Sequence, residues 1–394
     1  MRNKMIFDSD NSIKLNEVSS LLLTSSYGDN KVFGQPLGMK TVAFVRVQLS
    51  NGINGVGETY SGIYTPEIIP KICKYLNDIL QGRSIEFILN NFYSTTFIPF
   101  VGFEGIFNSV KSALYIALID SYSKSVDIPI YRLFNTDLRS LPVYVSGGSV
   151  GMDANQIYED AENQINKGFT NYKLRVGLES EFKKDIERIE RSLEVFKISE
   201  TVAIDFIQGT LASNFETIDL QKRINELNDY SLLWIEEPVE PDRVYKLLDL
   251  KEKSSNKLAT GEAYSSIIPF YYLLEKDLID IAQYDVSHTG SFEECLKLSD
   301  KIMEHGKDQV LHVWGSYASL YSNAIFNLIN PNIRLLEYPS LEFELSKNID
   351  RAGHEIKNGF FNFKEDFLGI GVEITDTTIN SFPYIKGSAY KLPK

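Results

Sequence analysis

The chain predicts an α/β fold: a (β/α) barrel preceded by a mixed α+β region. Three observations carry this. After about residue 141, short apolar runs alternate with amphipathic helical stretches. Counted as "VYVSG", "NYKLRV", "TVAID", "LLWIEEP", "LATGE", "IAQYD", "VLHVW" and "RLLEYP", the runs number eight over roughly 200 residues, the repeat size of a barrel. Most of them end on or beside a charged or polar residue, and the C-terminal strand ends of a barrel form its active face. An open doubly wound sheet shares the alternation, but the ring of polar strand ends favours the barrel.

The N-terminal part reads differently. "TVAFVRVQLSNGINGVGE" (41–58) alternates apolar residues around Asn51-Gly52, the signature of a β-hairpin. From about Thr65 to Phe134 the pattern is helical, as in "FNSVKSALYIALIDSYSKSV". Residues 1–135 are therefore expected to form an α+β domain and 136–344 the barrel. In the barrel, "DANQIYEDAENQINKGF", "SEFKKDIERIERSLEVF" and "NFETIDLQKRINELNDY" supply the helices between the first four strands. After Pro339 the rhythm stops. The tail, about 345–394, reads as loop and short strand returning to the first domain. Neither solenoid repeats nor low-complexity segments interrupt the chain.

Composition narrows the function. A net charge of −13 works against binding a polyanion, because nucleic-acid affinity comes from phosphate neutralisation by Lys and Arg. Two distant cysteines, Cys73 and Cys295, make neither a disulfide framework nor a thiolate metal site and suit a reducing interior. The start, MRNKMIFDSDNS, lacks an apolar signal core, and no run approaches the ~20 apolar residues of a membrane helix. A cytoplasmic protein with a small-molecule partner, and neither membrane nor nucleic-acid partners, is expected.

The chemistry sits at the strand ends. In order they offer Lys173 and Arg175, Asp205, Glu236 and Glu237, Glu262, Asp285, His312 and Glu337. One strand-end acid is usually a solvated surface group. Acids on three consecutive strands make an oxygen donor set for a hard divalent cation such as Mg²⁺. Without a cation they would raise one another's pKa. Asp285 and His312 end neighbouring strands, and a carboxylate that orients an imidazole suits general acid–base work. Lys173 and Arg175, two apart on one strand, point to the same side and can clamp an anion. The other histidines, His288, His305 and His354, read as structural or surface residues, with His288, just past the sixth strand, the one that could lie near the site.

With these motifs, and the stretches "FGQPLGMKTVAFVRV" and "GVGETYSGIYTPE", the sequence is similar to the enolase superfamily, in its mandelate racemase-like branch. The resemblance spans nearly the whole chain. It implies an α+β capping domain, completed by the tail, over a modified (β/α)7β TIM-like barrel. It implies Mg²⁺ held by Asp205, Glu236 and Glu262, with Glu236 chosen because the first acid of E-E-P is the family's ligand. Asp285 and His312 match the catalytic dyad, and Glu337 the acid that hydrogen-bonds the substrate carboxylate. Lys173 and Arg175 match the two lysines of the K-x-K motif.

Two departures stand out. Ile207 occupies a position where the family often has Asn. Arg175 replaces the second lysine, and a guanidinium with a pKa above ~12 does not serve as a base at neutral pH. The resemblance implies a reaction begun by removing a proton alpha to a carboxylate, and dehydration of a sugar acid is the commonest outcome. Arg175 disfavours racemisation and points to an anion clamp, with His312 doing most of the proton transfer. The alternative assigns the base to Lys173 and the acid to His312. A mono-acid such as an aldonate is expected over a di-acid, with an isomerase of the same family as the alternative. Loops near Phe33-Gly34-Gln35-Pro36 and Tyr60–Tyr64 are expected to choose the sugar, with Tyr60, Tyr64 and His288 within reach of hydroxyls. Symmetric homo-oligomers are usual in the family.

Overall fold

The structure, a computed structural model, describes residues 5, 13–28, 38–100, 102–177, 182–211, 217–341 and 343–390. Near the N-terminus three antiparallel strands form a meander: β1 (Leu15–Ser26), β2 (Met39–Leu49) and β3 (Asn54–Thr59). The predicted hairpin is β2–β3, with Gly52 at φ 86° in its turn. The expected loop Phe33–Pro36 lies outside the described residues.

Strand β3 packs on the helix Ile106–Val126, and its glycines explain how closely. A Cβ at Gly55 would stand 2.1 Å from the Ala117 carbonyl oxygen, and one at Gly57 2.1 Å from that of Ala113. The bare strand face therefore lies directly against helix backbone. The helix is buried around most of its circumference, as its nearly unbroken apolar and small-residue sequence requires.

Eight parallel strands follow: β4 (Leu141–Ser146), β5 (Tyr172–Arg175), β6 (Val202–Asp205), β7 (Ile235–Glu236), β8 (Leu258–Thr260), β9 (Ile281–Tyr284), β10 (Asp308–Leu311) and β11 (Leu335–Pro339). Each pairs with the next, and β11 pairs with β4, which closes the barrel. The predicted helices appear as Ala154–Asn166, Phe182–Val195 and Thr217–Leu227, and helical segments fill the later crossovers. Among the described residues, β11 is followed by only two short helices, Glu344–Lys347 and Asp376–Ser381, so the ring has seven helical crossovers.

Strand alternation sorts the barrel interior into layers. Tyr144, Ala203, Trp234, Ala259, Ile281, Val310 and Leu335 form one buried apolar layer, in which two large rings are accommodated by two alanines. Tyr144 and Trp234 meet edge-to-face at 4.9 Å. Two residues further along their strands, on the same inward side, come Asp205, Glu236, His312 and Glu337. The sequence pattern that ends each apolar run with a charge is the vertical section through this barrel.

The tail forms β12 (Asp350–Arg351), β13 (His354–Lys357), β14 (Phe360–Phe363) and β15 (Val372–Glu373). Strand β14 pairs antiparallel with the start of β4, while Leu23 bridges to Pro383 and the Tyr390 N–H donates to the Ile63 carbonyl. The tail thus touches both barrel and N-terminal sheet. Among the described residues, no helix is long and apolar enough to cross a membrane.

Candidate active site

At the C-terminal mouth of the barrel the charges interlock. The Lys173 ammonium, 1 % exposed, lies 2.5 Å from Glu236 Oε1, 3.0 Å from Glu337 Oε1 and 3.5 Å from Asp205 Oδ2. Burial opposes this charge, yet Glu236 and then Glu337 outweigh it and hold the lysine pKa well above its ordinary value. Burial likewise works to raise the Glu337 carboxyl, but Lys173 and His312 pull it down to about 2. Its Oε2 accepts from the Val313 N–H at 3.0 Å. Glu337 therefore pairs with Lys173 through one oxygen and with the Val313 N–H through the other.

His312 bridges two acids. Its Nδ1 is 3.2 Å from Asp285 Oδ2 and its Nε2 3.3 Å from Glu262 Oε2. Burial works against protonation, but Glu262 and then the hydrogen bond to Asp285 raise its pKa to about 9. Asp285 is itself fixed: its Oδ1 accepts from Ser287 N–H, Ser287 Oγ and Asn323 Nδ2 at 2.7–2.8 Å. With both carboxylate oxygens engaged, Asp285 can orient the imidazole.

Asp205, Glu236 and Glu262 follow one another around the barrel, with Asp205 directly opposite Glu236 in the β6–β7 register. Burial raises all three carboxyls. Among the described residues no three acid, His or Cys side chains converge as a ready-made metal cage. Instead Asp205 and Glu236 turn to Lys173, and Glu262 turns to His312. The set still fits a hard cation: three oxygen donors on adjacent strand ends, buried, and drawing in whatever positive charge is near. Glu236 also accepts from Trp234 Nε1 at 2.9 Å. Its neighbour Glu237, at φ 42°, accepts from the Gly209 N–H with Oε2, and its buried Oε1 has no partner among the described residues.

Arg175 lines the central cavity, but its guanidinium is tied to the adjoining strand end. It donates to the Gly147 carbonyl and to Ser146 Oγ, each at 2.9 Å. Ile207, the family departure, sits at φ 44°, in the left-handed region that β-branched residues avoid, with its N–H donated to Asp205 Oδ1 at 2.7 Å. Asn tolerates that conformation; Ile stores strain there.

The central cavity measures about 60 Å³ and is lined by Lys173, Arg175, Asp205, Glu262 and His312 under Trp314. Tyr64 and Tyr390 join Trp314 in an aromatic roof, with ring centroids 5.4–5.9 Å apart. A second cavity of about 270 Å³ lies beyond Glu262 and is lined by Tyr60, Tyr64 and His288. Tyr60 and Tyr64 share a 3.0 Å hydrogen bond, and Tyr60 meets the His312 ring edge-on. His288 is bonded to Ser109 Oγ and the Ala263 carbonyl, and burial lowers its pKa to about 4. A larger cavity, about 420 Å³, lies between Gln164, Lys167, Tyr317, Tyr338 and His354. It contains none of the strand-end carboxylates. The chemistry therefore belongs to the smaller space.

Two buried charges were not anticipated. Lys40 (β2) and Glu58 (β3) are each 1 % exposed and reach over the barrel mouth. Burial lowers the Lys40 pKa to about 7, with Glu58 opposing that.

A closed parallel barrel beneath an antiparallel sheet, with acids on consecutive strand ends, is a capped TIM-like barrel. Residues 156–378, more than half of the chain, match the family model described as enolase C-terminal domain-like, and the chain belongs to the enolase superfamily, in its mandelate racemase-like branch. It is 26% identical over 354 residues to an arabinonate dehydratase of Saccharolobus solfataricus, covering 87% of this chain and 91% of that one. Its fold is similar to a 3,6-anhydro-D-galactonate cycloisomerase from Zobellia galactanivorans (TM-score 0.79, 19% identity, 94% and 100% coverage). It is also similar to an L-talarate/galactarate dehydratase mutant liganded with Mg and L-glucarate (TM-score 0.79, 19% identity, 97% and 96% coverage).

Proposed function

We propose that the protein is a Mg²⁺-dependent acid-sugar dehydratase that acts on an aldonate. The observation that carries this is the His312 imidazole, held by Asp285 on one nitrogen and facing the cavity and Glu262 with the other. The similarity to an arabinonate dehydratase supports the substrate class, and the liganded dehydratase structure supports the metal.

Asp205, Glu236 and Glu262 would hold the cation, which when bound stabilises negative charge growing on the substrate carboxylate. Lys173 lies against Glu337 at that end of the site and adds a second positive charge where the enediolate develops. Arg175, braced by β4, adds a third. His312 removes the proton alpha to the carboxylate, and the β C–O bond breaks as the imidazolium returns that proton to the departing hydroxyl. Water leaves, and the resulting enol becomes a 2-keto-3-deoxy acid. The carboxylate that now holds the His312 proton, Glu262, is among the three assigned to the cation, so a loaded site leaves the imidazole freer to act as a base. A cation on Asp205 and Glu236 would likewise loosen the hold on the Lys173 ammonium, so the alternative, Lys173 as base with His312 as acid, uses the same site.

The cycloisomerase likeness favours a second reading, an isomerase that shares the first proton removal but loses no water. A symmetric homo-oligomer in the cytoplasm accompanies either reading.

The test is a panel of aldonic and aldaric acids with Mg²⁺, read by 2-keto-acid formation. A hit that disappears with EDTA and in His312→Asn supports the dehydratase. Deuterium incorporation at the alpha carbon in D₂O without keto acid supports the isomerase instead, and neither signal from any acid refutes both.

A further inference from the structure

The five residues His312–Ser316 connect β10 to the helix Tyr317–Ile329, and buried charges grip four of them. His312 is held by Asp285, and the Val313 N–H by Glu337. Trp314 and Ser316 are held from the N-terminal sheet. Lys40 Nζ donates to the Trp314 carbonyl at 2.6 Å and lies 4.4, 4.6 and 5.2 Å from the ring centroids of Tyr27, Trp314 and Phe343. Tyr27 in turn accepts from Trp314 Nε1 at 2.9 Å.

Glu58 grips the next residues. Both its oxygens lie 3.0 Å from the Ser316 backbone nitrogen, and Oε2 also accepts from Ser316 Oγ at 2.5 Å and the Ser319 N–H at 3.3 Å. A carboxylate at the N-terminus of this 13-residue helix satisfies orphan N–H groups and opposes the helix dipole. Gly315 leaves room for it: a Cβ there would stand 2.5 Å from Glu58 Oε1.

Burying a lysine in an aromatic box and a glutamate against a helix end is costly unless each is well solvated by its partners. An apolar pair would hold two layers together at less cost. What the charges add is direction: each fixes a particular backbone atom within four residues of His312.

We propose that Lys40 and Glu58 are positioning residues of the reaction centre, setting the His312 ring by fixing the chain that follows it. This rests on the reading of His312 as the proton-transfer group. The sheet above the barrel thereby does more than cover the substrate, since two of its strands complete the mounting of the acid–base residue.

Lys40→Met and Glu58→Gln keep side-chain size while removing charge. If Glu58→Gln does not fold, Glu58→Asp, which keeps the charge one methylene shorter, replaces it. The folded variants are expected to lose turnover by about 10²-fold while KM changes little, the pattern of a misplaced catalytic group. Amide exchange at Ser316 and Ser319 should quicken by about tenfold in the Glu58 variant. Folded variants with unchanged kcat, even at lowered melting temperature, would overturn the proposal and leave the pair as fasteners. If the wild-type protein turns over no acid of the panel, the functional reading has failed. Amide exchange then still decides whether these residues hold the segment, and unchanged protection refutes it.

Discussion

Lys173 offers the sharpest perturbation of the charged layer. Its ammonium lies within 3.5 Å of three buried carboxylates. Lys173→Met roughly preserves volume, so little packing is lost, but Asp205, Glu236 and Glu337 are left to repel one another. Removing one partner of a buried ionic group costs about 3–5 kcal/mol. With an unfolding entropy of about 2.1 cal/mol/K per residue, the 394-residue chain has about 0.8 kcal/mol/K, so the variant should melt about 4–6 °C lower. The assay is calorimetry in EDTA and again in millimolar Mg²⁺. A divalent cation bound by Asp205 and Glu236 replaces the missing charge, so Mg²⁺ should raise the variant's melting temperature more than that of the wild type. A variant as stable as wild type in EDTA, or an equal response of both to Mg²⁺, would refute the charge coupling argued for these residues.

Three further outcomes follow from the geometry. His312→Asn should lower turnover by roughly 10²–10⁴-fold while substrate still binds, as isothermal titration would show. Gly57→Ala places a methyl 2.1 Å from the Ala113 carbonyl, so expression should yield little folded protein, judged by circular dichroism and gel filtration. His354 is hydrogen-bonded to Tyr321 and Tyr338, and burial, with Arg351 adding to it, lowers its pKa from 6.5 to about 4. Its contribution is full above the unfolded value, near 6.5, and is lost as pH falls from there toward 4, because only the unfolded chain takes up the proton. By pH 5 the loss is about 2 kcal/mol. Urea titrations at pH 7 and pH 5 should show a drop smaller by about that amount in His354→Gln, and an equal drop in both proteins would contradict the assignment.

The barrel and its ring of strand ends were legible because strand alternation writes them directly: an apolar inward residue, then two places later a charge. The β2–β3 hairpin was legible from Asn51-Gly52. Strand β1 was not, because "LNEVSSLLLTSS" mixes polar and apolar residues without a clean period. What each charge does was harder to read. The guanidinium of Arg175 turns back to Ser146 and Gly147, which become its neighbours only through β4–β5 pairing. Lys40 and Glu58 look like ordinary exposed hairpin charges. They are buried because the sheet docks on a segment 258 residues beyond Glu58, and local pattern carries no trace of that contact. The lowered pKa of Glu337 likewise depends on the nearness of Lys173 and His312 and not on residue type.

The layer beneath the charges has a consequence for traffic. Tyr144 and Trp234, wholly buried, plug the barrel from below, so nothing reaches Lys173 or His312 through the floor. Above, the space of about 60 Å³ is far smaller than the ~300 Å³ of an ordinary ligand pocket. On the proposed reading, an aldonate that enters from this side has to displace Tyr64, Trp314 or Tyr390. Tyr64 and Tyr390 come from opposite flanks of the chain and are joined by the backbone hydrogen bond from Tyr390 to Ile63. The roof of the barrel is therefore a seam between two segments 326 positions apart, stitched by a backbone hydrogen bond and three ring contacts.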